Sequence, residues 1–205
     1  MNCCDGVSAV VLAGGASTRM GQDKALLGWD GKTLLQRQLE LLRSTGIEEV
    51  FVSVRPGVDY GSLGCSVVED AFTHCGPLAG VERGLAHACH SLVLVVAVDL
   101  PLLKPDFVKR LLSQCEAERG VVPMRRGGHW EPLVAVYPKP CHRLALELLL
   151  AGRCAMWMFV EGCIAARAVR PWRIPSRDEI CFYNCNAAED WQALFVSKDA
   201  EPDHR

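Results

Sequence analysis

Apolar residues fall along this chain in two rhythms. Short unbroken runs read as buried strands: Ser8 to Leu12, Glu49 to Val54, Ser66 to Glu69 and Ser91 to Val98. Between them lie runs with helical spacing. Leu34, Leu35, Leu39, Leu41 and Leu42 form one such face, opened by Thr33 with Gln36 as a capping box and stopped by Gly46. Leu78, Val81, Leu85 and Ala88 form another over Pro77 to Ala88, and Phe107, Val108, Leu111 and Leu112 a third behind Pro105. "SLVLVVAV", from Ser91 to Val98, is the most apolar stretch and predicts a central parallel strand covered on both faces. Further on, Gly120 to Pro123 and Leu133 to Tyr137 predict strands joined across the turn-rich "RRGGHWE". Helices are expected at His142 to Ala151 and near Met156 to Val160, then a strand at Ala165 to Val169 and a closing helix at Ala188 to Phe195.

Strand and helix alternate through the first half of the chain, which predicts an α/β fold: three αβα layers around a doubly wound sheet. No Gly, Pro or Ser-rich linker divides the chain. One domain over 1–196 with a polar tail over 197–205 is expected.

Composition narrows the function. Half of the 205 residues are hydrophobic, enough for a sizeable core. A net charge of -2 argues against a nucleic-acid binder. No apolar run is long enough for a membrane span, and Met1 to Gly6 does not read as a signal peptide, so the cytoplasm is the expected location. The 11 cysteines are odd in number, irregularly spaced and without C-x-x-C, which predicts small buried hydrophobes in a reducing compartment. His87, Cys89 and His90 are the one cluster with metal-ligand chemistry, but a second ligand group is missing.

In open α/β sheets, ligands collect at the carboxyl ends of the strands. Three polar groups fall there: the loop "AGGASTRMGQDK" after the first strand, Asp70 after the third, and Asp99 after the apolar one. The loop has neither the G-x-G-x-x-G fingerprint nor a Walker sequence. Its Gly14 and Gly15 nevertheless let backbone N–H groups approach an anion, while Arg19 and Lys24 offer cations to phosphate oxygens. A solvated surface loop is the alternative. Asp99, in "VVAVDLPLL", is either a turn-former before Pro101 or a magnesium ligand, since Mg²⁺ takes few carboxylates together with substrate phosphates.

"LAGGASTRMGQDKALL", "VVED", "GPLAG", "VDLPLL" and "NCNAAEDW" together resemble the nucleotidyltransferases of the molybdenum cofactor guanylyltransferase family, over roughly residues 8 to 195. The resemblance implies a Rossmann-like nucleotidyltransferase fold with a mostly parallel sheet and one antiparallel strand. It implies transfer of GMP from GTP to the terminal phosphate of molybdenum-bound molybdopterin, with release of pyrophosphate. Leu12, Ala13, Gly14 and Gly15 would hold GTP, Lys24 its phosphates, Asp70 the nucleotide, and Asp99 the nucleotide through Mg²⁺. Asn184 and Asn186 match the family's late asparagine motif. Ser53 stands where the family often has an asparagine, a shorter side chain with one donor hydrogen instead of two. Arg126 and His129 are either contacts for the pterin or solvated hairpin residues.

A phosphate monoester acceptor, with a second pKa of about 6, is already mostly a dianion at neutral pH and needs no strong base. Catalysis then rests on positioning and electrostatics, with Asp99, Lys24 and Arg19 as the expected catalytic set. Three rivals compete with this reading: a cytidylyltransferase or another nucleotidyltransferase acting on a phosphorylated small molecule, a nucleotide-binding adapter without catalysis, and an NAD-dependent oxidoreductase, whose dinucleotide glycines this chain lacks. Proteins upstream and downstream in molybdenum cofactor assembly are the expected partners.

Overall fold

The unbroken apolar runs become the strands of one sheet. The structure is a computed structural model that describes residues 6–15 and 23–184. In chain order its elements are β1 (Val7–Leu12), a 3₁₀ turn at Lys24–Leu26, a small ribbon of β2 (Gly28–Trp29) and β3 (Lys32–Thr33), α1 (Leu34–Ser44), β4 (Glu49–Val54) and β5 (Ser66–Glu69). There follow α2 (Pro77–His87), β6 (Leu92–Ala97), α3 (Pro105–Ser113), β7 (Gly120–Met124), β8 (Val134–Pro138), α4 (Cys141–Leu150), α5 (Met156–Ala165), β9 (Val169–Arg173) and a 3₁₀ segment at Ser176–Phe182. The expected closing helix, the polar tail, Arg19 and Asn186 lie outside the described residues.

The seven-stranded sheet runs in the order β5-β4-β1-β6-β8-β7-β9. β8 is antiparallel to both neighbours, and the other pairings are parallel. The α/β, doubly wound, mostly parallel architecture with one antiparallel strand is therefore present. Because side chains alternate along a strand, β1 feeds two cores. Ala9 and Val11 pack with α1 and α3 on one face, and Val10 and Leu12 with α2, α4 and α5 on the other.

Local chemistry explains most boundaries. In α1 the Thr33 hydroxyl accepts from the Gln36 backbone N–H (3.2 Å), and Gln36 Oε1 accepts from the Thr33 N–H (2.9 Å), so both arms of the capping box are made. In α2, Gly80 and Gly84 lie on the face toward the sheet. A Cβ at Gly84 would stand 2.5 Å from Val10 Cγ1, and one at Gly80 would stand 2.5 Å from Ser53 Oγ. Their hydrogens let α2 lie closer to β1 and β4 than any side chain would allow.

One strand lies further along than the pattern suggests. Instead of Ala165 to Val169, β9 covers Val169–Arg173. The alanines favour the helix, and α5 keeps Ala165. The helix ends in a Schellman turn, in which the Ala168 N–H donates to Cys163 O (2.9 Å) and the Arg167 N–H to Ile164 O (2.9 Å). Arg167 takes the left-handed position at φ +57°, where glycine is usual, so the stop signal is absent from the sequence. Pro171 is tolerated because β9 is an edge strand.

At the opposite end of the sheet from the loops discussed below, Ser8 and Glu49 face each other in register. Glu49 Oε2 accepts from the Ser8 hydroxyl and from the Cys89 N–H (2.9 Å), and lies 3.3 Å from His90 Nδ1. Burial pushes the Glu49 carboxyl up, but the hydrogen bonds from Cys89 and Ser8 and the His90 charge outweigh it, lowering it to about 2. A carboxyl held below its ordinary 4.5 contributes stability that is complete above that pH and fades as pH falls toward about 2. Glu49→Gln is expected to lower the unfolding temperature by on the order of 5 °C at pH 7. The difference from wild type should shrink through that acid window. A difference that stays constant down to the acid limit would remove Glu49's ionisation from the account.

Candidate functional site

The strand order fixes where a ligand can enter. From β1 the chain goes to β4 and β5 on one side, then crosses to β6 on the other, so connections diverge at the carboxyl ends of β1 and β6. A cleft of about 750 Å³ opens there, within the range of small-molecule sites. Leu12, Ala13, Gly14, Gly15, Lys24, Ser53, Asp70 and Asp99 all line it.

The floor is backbone. Ala13 is tied into the sheet by its N–H to Ser53 O (2.9 Å), and beside it Val98 N–H donates to Leu12 O (3.2 Å). The chain then leaves the sheet at Gly14. A Cβ there would stand 2.8 Å from Asp70 Oδ2 and 3.3 Å from the Arg55 nitrogen, so glycine is what lets the carboxylate approach the turn. Among the described residues, a Cβ at Gly15 would meet nothing within 4 Å. That glycine leaves the backbone open toward solvent instead of relieving a clash.

Two charges face each other above this floor. Asp23 Oδ1 accepts from the Ala25 N–H (3.0 Å) and so opens the short turn that carries Lys24. Lys24 Nζ reaches across to Asp99 Oδ2 at 2.9 Å, with both side chains 21% exposed. Asp99 thus faces the cleft and not the core. A carboxylate beside exposed glycine backbone has the chemistry of a site where a divalent cation takes its remaining oxygens from phosphate and water. Among the described residues, no three His, Cys, Asp or Glu side chains form a metal-binding group by themselves. His87 and His90 turn to different partners: His87 Nδ1 lies 2.9 Å from Arg83 O, and His90 Nδ1 lies 3.1 Å from Ser8 Oγ.

On the other side of the turn stands Asp70. Its N–H donates to Val54 O (2.8 Å), extending the sheet by one bond, and its Oδ1 accepts from the buried Ser53 hydroxyl (2.5 Å). Burial raises the Asp70 carboxyl, and the Ser53 hydrogen bond and the Arg83 charge only partly offset it. Beneath it, fully buried Glu82 accepts two bonds from Arg83 (2.7 Å each), with His142 Nε2 2.7 Å from its Oε1. Burial pushes Glu82 up, but these contacts prevail and hold it below its ordinary value. The remaining wall is the segment from Phe72 to Gly76 and the first turn of α2. Gly76 caps that helix at φ +61°, and Pro77 opens it. The helix thereby presents its partially positive end to the cleft.

Several expected residues are elsewhere. Asn184 is exposed, and Arg126 and His129 sit exposed at the β7–β8 turn. None of the three lines the cleft. Ser53 lines it, but with its single hydrogen directed at Asp70. Of the cleft residues that the sequence did not single out, Gly76, Pro77 and Gly80 belong to the motif "GPLAG" already in view. Arg55, Phe72 and His74 come from loops without a pattern and carried no signal.

Comparison with known proteins agrees with this geometry. Residues 9–166 match the family model of the MobA-like NTP transferase domain. The chain is 35% identical to a protein of Opitutus terrae named "Probable molybdenum cofactor guanylyltransferase", over 90% of this chain and 92% of the relative. It is 33% identical to the molybdenum cofactor guanylyltransferase of Xanthomonas euvesicatoria pv. vesicatoria, over 91% and 93%. Among solved structures, the molybdopterin-guanine dinucleotide biosynthesis protein A of Archaeoglobus fulgidus superposes with a TM-score of 0.72 at 21% identity, covering 93% of this chain and 99% of that one. The 2-C-methyl-D-erythritol 4-phosphate cytidylyltransferase of Thermus thermophilus superposes at 0.68 with 20% identity, covering 93% and 98%. These two share the fold. With a glycine turn, a lysine and two carboxylates gathered at the switch point, and with relatives of this identity over nearly its whole length, the chain belongs to the MobA-like NTP transferase domain family.

Proposed function

We propose that the protein transfers GMP from GTP to the terminal phosphate of molybdenum-bound molybdopterin, releasing pyrophosphate and forming the guanine dinucleotide form of the cofactor. The observation that carries this reading is the Lys24–Asp99 pair, closed at 2.9 Å across the mouth of a cleft floored by Gly14 and Gly15. The names of the relatives at 35% and 33% identity support the choice of nucleotide and acceptor.

The chemistry asks for little covalent help. Both reactants are polyanions, so the barrier is repulsion plus the charge that gathers on departing pyrophosphate. Lys24 exchanges Asp99 for phosphate oxygens and holds them as a point charge. The exposed backbone at Gly15 and the first turn of α2 direct partial positive charge into the same space. Asp99, relieved of Lys24, is then the residue that would hold Mg²⁺ with the nucleotide. Magnesium, when bound, supplies neutralisation of charge on the triphosphate. Asp70 accepts hydrogen bonds from the nucleotide, with Ser53 keeping it oriented. Arg19 and Asn186, outside the described residues, remain part of the proposed set, as does Asn184. Both substrates belong to the cytoplasm in this reading, and acceptor handover between proteins of cofactor assembly fits the same location. Among the described residues no helix is long and apolar enough to cross a membrane.

The reaction is tested by offering each of the four nucleoside triphosphates with Mg²⁺ and molybdopterin and following pyrophosphate. Release with GTP alone is expected. Release with CTP instead would make the protein a cytidylyltransferase, and GTP binding without release would make it an adapter. Asp99→Ala is expected to lower turnover by about 10²-fold or more. GTP binding without magnesium should be kept or tightened, because the carboxylate that competes for Lys24 is gone. Equal turnover of the two proteins would remove Asp99 from the mechanism. Ser53→Ala should move the Asp70 carboxyl further up, read as a higher midpoint in a ¹³C NMR titration. An unmoved midpoint would mean that Ser53 does not hold Asp70.

A further inference from the structure

The loop after β4 carries a residue that no motif marks. Tyr60 is half-buried against the core on the α1 side, together with Val58 and Leu63. Its hydroxyl stands at a junction. It lies 2.7 Å from Asp23 Oδ2 and 3.2 Å from Ala13 O. Ala13 is where the chain leaves β1 for Gly14 and Gly15, and Asp23 is where it arrives at Lys24. One side chain therefore touches both the residue before the two glycines and the residue before Lys24.

A phenol has one hydrogen. The shorter contact, to a carboxylate, is the charge-assisted one and takes it, with Ala13 O sharing at longer range. Each Asp23 oxygen then has a donor: Oδ1 accepts from the Ala25 N–H that forms the Lys24 turn, and Oδ2 accepts from Tyr60. This matters because Asp23 itself lines the cleft. An unmatched carboxylate there would repel a triphosphate. Burial, followed by the bond to Asp23 and its charge, raises the Tyr60 phenol, with Arg55 pulling the other way, so the hydroxyl keeps its hydrogen at working pH.

We infer that Tyr60 is a positioning residue for the nucleotide. Its hydroxyl occupies the Asp23 oxygen that would otherwise face the phosphates, so that Asp23 can hold the Lys24 turn without presenting an unmatched carboxylate to the triphosphate. The inference rests on the nucleotidyltransferase reading above, and it predicts an effect on nucleotide affinity with the chemical step spared.

The test compares wild type, Tyr60→Phe, Asp23→Asn and the double variant. Binding of a fluorescent GTP analogue, KM and kcat with molybdopterin, and thermal unfolding are measured for each. Phenylalanine keeps the ring packing, and losing one hydrogen bond should lower the unfolding temperature by only a few degrees. The dissociation constant and the KM for GTP should rise about tenfold, from repulsion between the unmatched carboxylate and the phosphates, while kcat stays within about twofold. Asn still accepts from the Ala25 N–H and carries no charge. Adding Asp23→Asn to Tyr60→Phe should therefore restore binding to within about threefold of wild type, a non-additive result that a merely structural hydroxyl would not produce. Tyr60→Phe binding like wild type, or a double variant no tighter than Tyr60→Phe alone, would overturn this inference while leaving the nucleotidyltransferase reading intact. A wild-type protein that binds no triphosphate would overturn both.

Discussion

An amine and a carboxylate 2.9 Å apart, each one-fifth exposed, sit where the strand connections diverge. Partly solvated pairs of this kind contribute only about 0–1 kcal/mol to folding, so stability is a weak reason for it. In the proposed function both partners change hands. A triphosphate would offer Lys24 better-matched oxygens, and a cation brought with the nucleotide would offer Asp99 a stronger partner. The pair therefore keeps two opposite charges preset at the right separation without leaving either unmatched. Asp23 is handled in the same way, with both its oxygens engaged by Ala25 and Tyr60.

Keeping these groups close depends on what is missing from the glycines. Gly14 yields room for Asp70, and Gly80 and Gly84 let α2 settle onto Ser53 and Val10. Replacing those hydrogens with methyl groups would move the helix whose first turn forms one wall, and with it the Ser53–Asp70 contact. The packing of α2 and the polarity of the cleft are thus one constraint expressed twice. The Glu82, Arg83 and His142 contacts extend that constraint from α2 to α4 and place Arg83's charge near Asp70.

Much of this was legible in the residues. Strands with unbroken apolar cover, such as Glu49–Val54, and helices with full caps, such as the one opened by Thr33, have their ends written in local chemistry. The floor and both facing charges follow from glycines and polar residues at strand ends. Where reading fell short, the information was not local. Arg167 took a conformation that glycine usually signals, which moved β9 along the chain. The two-residue strands around Asp30 are too short to show a period. Ser53 lines the cleft, but that its hydrogen goes to Asp70 is a pairing set by the register of β4 against β5, which no local signal shows. Tyr60 acts from a patternless loop and gains meaning only through Ala13 and Asp23, far from it in sequence.

The central claim is that the Lys24–Asp99 pair is a placeholder for substrate. A crystal structure with a non-hydrolysable GTP analogue and magnesium tests it most directly. The account predicts phosphates lying between the Gly14–Gly15 turn and Asp99, with Lys24 Nζ withdrawn from the carboxylate onto a phosphate oxygen. Nucleotide bound elsewhere, with Lys24 still at 2.9 Å from Asp99, would contradict it.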